Sequence, residues 1–226
     1  MKITTTREAA HINGLKVLVY GAAGVGKTTL CATLPSPIIL SAEAGLLSLR
    51  HLEVPVIEVS TLEDVEAAYS YLLSPEAEAY QWVCLDSISE IAEVVLSRER
   101  KATKDPRQAY GALAEHMFDL LRAFRDLPRN IYMSSKMEKT KDEVSGAMLY
   151  SPSLPGQRLG QGIGYLFDEL FALRVERDPE GQPTRWLQTG SDKQYQAKDR
   201  SGVLELFEPP DLGAVSAKIL NTISQE

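Results

Sequence analysis

Short runs of apolar residues alternate with helix-length amphipathic segments up to about residue 135. The runs have the length of buried strands, and the apolar positions between them recur at helical intervals. This alternation predicts βαβ crossovers and a mainly parallel sheet flanked by helices, which is an α/β fold. The predicted strands cover residues 16–20, 37–40, 56–59, 81–85 and 130–134, and the predicted helices cover 60–73, 87–100 and 107–127.

The pattern changes beyond this region. Residues 136–161 are polar and contain two prolines and three glycines, so they predict a long loop that is mobile or functional. Apolar residues return in 170–177 and 184–189, on either side of an Asp-Pro-Glu-Gly turn sequence. This arrangement predicts a β-hairpin. A further strand is predicted over 195–200 and a closing helix over 211–226.

Composition narrows the class of protein. A chain of 226 residues predicts a single domain over 1–226, with a polar N-terminal tail over 1–14. The hydrophobic content of 44% excludes a disordered chain, and the net charge of −7 means that any nucleic-acid site must be a local patch. Two cysteines in apolar segments, with no signal peptide and no apolar run long enough to span a membrane, predict a cytoplasmic protein without a membrane partner.

The first strand leads into the sequence GAAGVGKTT, which satisfies the P-loop (Walker A) pattern G-x-x-x-x-G-K-[ST]. Glycines permit a turn whose backbone N–H groups surround phosphate oxygens, and the following helix directs its positive end at the same anion. Lys27 is expected to reach the β and γ phosphates of ATP, and the Thr28 hydroxyl to bind Mg²⁺. The alternative is a tight strand–helix turn with a solvated lysine. The predicted nucleotide-binding residues are Gly21, Ala22, Ala23, Gly24, Val25, Gly26, Lys27, Thr28 and Thr29.

Two carboxylates follow predicted strands. Asp86 ends the run QWVCLD, where a P-loop protein needs an acid that organises Mg²⁺. The alternative role, capping the next helix, suits Ser87 better, because Ser87 and Glu90 have capping-box spacing. Glu43 closely follows the second strand, and the carboxyl ends of parallel strands face the ligand crevice. Glu43 is therefore a candidate for orienting the attacking water, with a solvated loop glutamate as the alternative.

Together these motifs resemble the RecA-like ATPase superfamily. The resemblance implies a RecA-like P-loop NTPase core with a C-terminal β-hairpin extension, and it supports the role of Glu43, because many members carry a glutamate in a similar AE setting. Relatives of replicative hexameric helicases carry Lys-x-Arg on a late strand, and this chain has Lys198 and Arg200 there. The resemblance implies that these two cations reach the γ-phosphate held by a neighbouring subunit. The alternative is a surface charge cluster.

A closer resemblance covers about residues 14–220. It is to compact, mostly phage-encoded RecA-like ATPases of an AAA-type nucleotide-binding family, through stretches such as WVCLDSISEI, LPGQRLGQGIGYLFDELFAL and YQAKDRSGVL. Some members act in phage recombination as single-strand annealing proteins. The resemblance therefore implies an Mg-dependent ATPase that binds single-stranded DNA, forms a homo-oligomeric ring or filament with ATP between subunits, and meets a single-strand-binding protein in the cytoplasm of a host cell.

Two segments are candidates for contact with DNA. Residues 97–110 hold five basic residues and two acidic ones, and residues 136–161 hold four and three. Tyr110 or Tyr150 is expected to stack on a base. The alternative is a pair of solvated loops of mixed charge. The basic candidates are Arg98, Arg100, Lys101, Lys104, Arg107, Lys136, Lys139, Lys141 and Arg158.

One departure from the family pattern concerns the end of the fifth core strand. Family members commonly carry a histidine there, whereas this chain has Ser134, Ser135 and Lys136. Three other functions compete with the recombination role: a helicase loader or accessory ATPase that acts on a protein, a nucleotide-gated scaffold without turnover, and a small-molecule kinase. Lys27, Asp86 and Glu43 argue against the scaffold.

Overall fold

Ten strands form one sheet in the part of the chain that the computed structural model describes, namely residues 3, 5, 13–43, 45–143, 145–178 and 180–225. Most of the predicted N-terminal tail lies outside these residues. The strands are β1 Lys16–Gly21, β2 Pro37–Ser41, β3 Val56–Glu58, β4 Trp82–Asp86, β5 Asn130–Lys141, β6 Met148–Ser153, β7 Glu169–Arg177, β8 Pro183–Gln188, β9 Lys198–Asp199 and β10 Phe207–Glu208.

Six α-helices connect or follow these strands in the described residues. They are α1 Lys27–Cys31, α2 Leu62–Leu72, α3 Ile88–Ala102, α4 Pro106–Arg125, α5 Gln157–Gly162 and α6 Leu212–Gln225. None of them is long and apolar enough to cross a membrane.

The strand order is β10-β8-β7-β1-β5-β4-β2-β3, with β6 paired to β5 and β9 to β7. The six strands from β7 to β3 pair in parallel, and β6, β8, β9 and β10 are antiparallel additions. The mainly parallel α/β sheet and the β7–β8 hairpin are therefore confirmed. Because β5 lies between β1 and β4, the loop after β1 faces the end of β4 across one intervening strand.

Alternating side chains of the strands bury two apolar layers. Leu18, Val83 and Met133 face helices α2, α3 and α4, whereas Val19, Cys84 and Tyr132 face α1 and α6. Successive side chains of a strand point to opposite faces of the sheet, so every second residue points to the same face. Asp86 and Ser134 follow Cys84 and Tyr132 at that period, which directs them to the side of α1.

Two predicted segments differ from the structure. Residues 136–161 were expected as a loop, but β5 continues to Lys141 and returns as β6, and α5 follows. The extension forms because backbone pairing across the hairpin satisfies the polar groups of this polar segment. The predicted strand over 195–200 is reduced to the two residues of β9. The helix predicted from residue 60 begins at Leu62, with Thr61 and Asp64 forming its capping box.

Candidate functional site

The glycine-rich loop joins β1 to α1. Gly24 and Gly26 have φ angles of 71° and 111°, a region that favours glycine, so these two positions permit the loop conformation. The Lys27 ammonium group turns back and donates to the carbonyl oxygens of Gly21 and Ala22, each at 3.0 Å. Burial lowers the pKa of Lys27, and the nearby carboxylates of Glu43 and Asp86 oppose this shift.

Asp86 receives two side-chain hydrogen bonds at the end of β4. Thr28 Oγ1 donates to Asp86 Oδ2 at 2.6 Å, and Ser134 donates to the other carboxylate oxygen. Tyr132, two residues before Ser134 on β5, donates to the backbone carbonyl of Lys27 at 2.9 Å. The predicted proximity of Thr28 and Asp86 is therefore present, and β5 supplies the side chains that connect the loop to β4.

Glu43 lies beside Ser87. The register pairs Ser41 of β2 with Asp86 of β4, so the residues that follow these two strands come together. The Ser87 hydroxyl donates to Glu43 Oε1 and also accepts from the backbone N–H of Glu90 at 3.4 Å as the cap of α3. Ser87, expected only as a cap, thus also holds the candidate water-orienting carboxylate.

The glycine-rich loop, Glu43 and Lys136 line a cleft of about 850 Å³. The loop forms its floor, and Glu43 and Lys136 form part of the wall on the β2 and β5 side. Lys136 is held by Glu90 at 2.6 Å, a contact that raises the pKa of its ammonium group. Leu173 of β7, Arg185 of β8 and Pro210, which follows β10, also line the cleft. The predicted loop residues from Gly21 to Thr29 all line this cleft.

The oxygen atoms of Thr28 and Asp86 fit the ligand chemistry of Mg²⁺, which prefers hydroxyl, carboxylate and phosphate oxygens. Among the described residues no group of three or more histidine, cysteine, aspartate or glutamate side chains is placed to hold a metal ion. A magnesium ion here would therefore depend on the phosphates of a nucleotide and on water for most of its ligands, as is usual for this ion.

Lys198 and Arg200 lie away from the cleft of their own chain. Lys198 donates to the carbonyl oxygens of Gly164 and Phe167, and Arg200 contacts Asp168 at 2.7 Å. Asp168 also accepts from the backbone N–H of Lys16, which begins β1, whereas the glycine-rich loop follows the last residue of that strand. At about 3.3 Å per residue, Arg200 is roughly 16 Å along the strand from the loop, so it does not contact the loop of its own chain.

The two basic segments come into contact with each other. A side chain at Gly156 would meet the Tyr110 ring at 3.3 Å, so the start of α4 lies beside the start of α5. Arg100 covers the Tyr110 ring at 5.5 Å and donates to its hydroxyl at 2.9 Å. Arg98 instead pairs with Glu63 at 3.4 Å. The remaining predicted basic residues are exposed, namely Lys101, Lys104, Arg107, Lys136, Lys139, Lys141 and Arg158.

Two side chains at the site, Tyr132 and Arg185, were not predicted from the sequence, and Ser134 was noted only as standing where family members carry a histidine. Tyr132 and Ser134 lie at alternate positions of β5. Their hydroxyl groups near the end of an apolar run were the feature of the sequence that could have identified them as site residues. Arg185 on β8 donates from Nε to the carbonyl oxygen of Val25 at 2.9 Å. Arg185 carried no sequence signal, because only the hairpin fold brings β8 to the loop.

Together, the parallel sheet, the glycine-rich loop and the acid at the end of β4 define a RecA-like P-loop NTPase core. Residues 13–201 match a family described as an AAA domain, and the chain belongs to that family. A KaiC-like protein from the hyperthermophilic archaeon Pyrococcus horikoshii is similar in structure, with a TM-score of 0.46 and 12% sequence identity over 80% of each chain. No curated protein matches the sequence.

Proposed function

We propose that this protein is an Mg-dependent ATPase that acts on single-stranded DNA in phage-type recombination and strand annealing. The observation that carries the ATPase part is the 2.6 Å hydrogen bond between Thr28 and Asp86 beside the glycine-rich loop. It places the two oxygen donors that a P-loop protein uses for magnesium next to the loop that holds phosphates.

The glycine-rich loop, Lys27 and Glu43 each have a defined part in this proposal. The loop backbone and Lys27 bind the phosphates, with the Lys27 ammonium exchanging two carbonyl oxygens for phosphate oxygens. Glu43 orients the attacking water and is held by Ser87. Magnesium, when bound with the nucleotide, neutralises charge that develops on the transferred phosphoryl group.

The DNA part rests on charge and position. Residues 97–110 carry an excess of basic side chains in a chain of net charge −7. The contact of Tyr110 with the region of Gly156 joins this segment to α5, which holds Arg158. Exposed basic side chains beside an aromatic ring suit a strand whose phosphates and unstacked bases are both accessible.

We also propose a homo-oligomer with ATP between subunits. Arg200 is exposed, pairs with Asp168 and lies near the first residue of β1, away from its own glycine-rich loop, so any nucleotide that it contacts would be held by a second copy. A cation supplied by a neighbouring subunit stabilises the charge on the transferring phosphoryl group and raises the rate of hydrolysis by about 10³- to 10⁵-fold.

The test is ATP hydrolysis with and without single-stranded DNA across a range of protein concentrations. We expect stimulation by DNA and a rate per subunit that rises with concentration. The variant Arg100→Gln/Arg107→Gln should lose stimulation but keep basal hydrolysis, whereas Arg50→Gln, an exposed arginine outside both segments, is the matched control. No ATP hydrolysis under any condition would refute the ATPase itself.

An accessory ATPase that acts on a protein partner is the second candidate, and the net charge of −7 favours it. This candidate predicts a rate that DNA leaves unchanged at low and high salt. DNA binding that weakens steeply as salt rises would favour the recombination role instead, because phosphate contacts release counterions.

A further inference from the structure

Arg185 brings a positive charge to the glycine-rich loop from an unexpected direction. Arg185 lies on β8 and pairs in register with Val175 of β7. Both strands lie on the side of β1 away from β5 and β4. Its Nε donates to the Val25 carbonyl oxygen at 2.9 Å, and Nε is 3.8 Å from the position of a side chain at Gly26. Arg185 therefore contacts the loop immediately before Lys27.

The guanidinium group of Arg185 is not neutralised by the described part of the chain. None of the described carboxylates forms an ion pair with it, whereas Arg174 pairs with Glu176 at 2.7 Å and Arg200 with Asp168 at the same distance. Arginine stays protonated in proteins and has five N–H donors in a rigid fork. Only Nε has a described partner, so the two terminal nitrogens remain as donors at the wall of the cleft.

We propose that Arg185 binds the phosphate chain of a nucleoside di- or triphosphate in the same subunit. The hydrogen bond to Val25 fixes one edge of the guanidinium to the loop, and the terminal nitrogens then meet the anion that the loop holds. A planar fork matches phosphate oxygens with two parallel hydrogen bonds, which an ammonium group does not. This inference rests on the proposed ATP site and adds a binding residue to it.

Arg185 differs from Lys198 and Arg200 in which subunit's nucleotide it can contact. Lys198 and Arg200 are at the far edge of the sheet and serve only a neighbouring copy. Arg185 needs no neighbour, because the β7–β8 hairpin carries it to its own loop. A subunit that has not assembled would therefore already bind nucleotide with an arginine in place.

The experiment measures binding of Mg·ATP and Mg·ADP to wild type, Arg185→Gln, Arg185→Lys and the control Arg177→Gln. Arg177 is an exposed arginine of the same hairpin that donates to the Gly181 carbonyl and does not line the cleft. We expect Arg185→Gln to weaken both nucleotides by about 10- to 100-fold, the usual worth of a charged hydrogen bond. Arg185→Lys should recover part of the loss, and Arg177→Gln should bind as wild type does.

Inorganic tripolyphosphate, competed against a fluorescent ATP analogue, separates contact with phosphate from contact with the base or ribose. Arg185→Gln should require about 10-fold or more additional tripolyphosphate for the same displacement. Identical tripolyphosphate curves for wild type and variant would overturn the phosphate assignment.

Thermal unfolding separates ligand contact from support of the loop. We expect an unchanged unfolding midpoint without nucleotide and a smaller upward shift with Mg·ATP for Arg185→Gln, because a ligand stabilises in proportion to its affinity. A lower midpoint without nucleotide, combined with a full ATP-induced shift, would overturn the inference in favour of a structural brace. Absence of ATP binding by wild type would instead refute the proposed ATPase.

Discussion

Thr28, at the start of α1, donates a 2.6 Å hydrogen bond to Asp86 across 58 positions of sequence, although β1, which leads into the loop before Thr28, is not a neighbour of β4 in the sheet. Strand β5 separates β1 from β4, and its side chains fill the space between loop and acid. Ser134 donates to the same carboxylate, and Tyr132 holds the Lys27 carbonyl. The geometry of the proposed magnesium site therefore depends on β1, β5 and β4, whose carboxyl ends lie side by side.

Replacing Asp86 with asparagine should lower magnesium-dependent ATP hydrolysis by about 10- to 100-fold, the usual cost of losing a group that organises a metal ligand shell. The cause is loss of the negative charge while the shape and the partners Thr28 and Ser134 remain. A magnesium titration of the hydrolysis rate tests this, with the exposed Asp119→Asn as control. An unchanged titration curve would contradict the role of Asp86.

Replacing Glu43 with glutamine should reduce hydrolysis by about 10²- to 10⁴-fold and leave ATP affinity within a few-fold, because a general base acts on the water and not on binding. Single-turnover hydrolysis and equilibrium binding measure the two effects. Glu53→Gln, a change at an exposed loop residue, is the control. If Glu43→Gln hydrolyses ATP at the wild-type rate, another residue orients the water.

Ser87→Ala should lose both the hydrogen bond to Glu43 and the cap of α3. We expect a loss of hydrolysis together with about 1 kcal/mol of unfolding free energy, the usual value of a helix cap. Ser87→Thr retains a hydroxyl for both contacts and should restore hydrolysis and stability. Restored stability without restored hydrolysis would separate the two roles and show that the cap alone does not position Glu43.

Arg200→Ala and Glu43→Gln should each be inactive in hydrolysis but partly active when mixed. The reason is that a mixed oligomer contains interfaces in which an intact Arg200 faces an intact Glu43. Arg200 is exposed and its ion pair with Asp168 is worth about 1 kcal/mol or less, so Arg200→Ala should remain folded. Mixtures that hydrolyse no faster than the separate variants would argue against a shared site.

Glu169 should make the protein less stable as the pH rises. Burial, and then the charge of Asp199, raise the pKa of Glu169 to about 8 from 4.5. Between these two pH values Glu169 is protonated in the folded state and ionised in the unfolded state. The free energy of unfolding therefore decreases as the pH rises from about 4.5 to about 8. The contribution amounts to several kcal/mol at about 1.4 kcal/mol per pKa unit.

Denaturant unfolding from pH 5 to 9 tests this effect. The unfolding free energy of wild type should fall relative to that of Glu169→Gln across the range, because glutamine has no proton to lose. Glu63→Gln, a change at an exposed residue, should instead remain parallel to wild type. Parallel curves for Glu169→Gln would show that Glu169 is already charged in the folded protein.

Strands and helices with strong apolar periodicity could be predicted from the sequence within a few residues. β4 was expected over 81–85 and spans Trp82–Asp86, and α3 was expected over 87–100 and spans Ile88–Ala102. The extension of β5 from Lys136 to Lys141 and its pairing with β6 could not be predicted, because this part of β5 is mostly polar and exposed and pairs with β6 through backbone hydrogen bonds. Periodicity reports burial, and a strand that buries little shows no period.

The candidate site divides in the same way. Lys27, Thr28, Asp86 and Glu43 follow from local motifs, and the structure brings them to one cleft or its border. Their catalytic roles stay predictions. Ser134, Tyr132 and Arg185 reach the site through strand neighbours that the chain order does not reveal, because β5 inserts between β1 and β4 and β8 folds back beside β7.

The sequence by itself determined the glycine-rich loop, the acid after an apolar strand and the mainly parallel sheet, because each depends on residues close together in the chain. Only the tertiary structure decided which cations lie at the cleft of their own chain. Lys198 and Arg200 are turned to the opposite edge, whereas Arg185 is brought to the loop. The physical reason is that strand order and register, which arise from packing between distant segments, set the distance between charges.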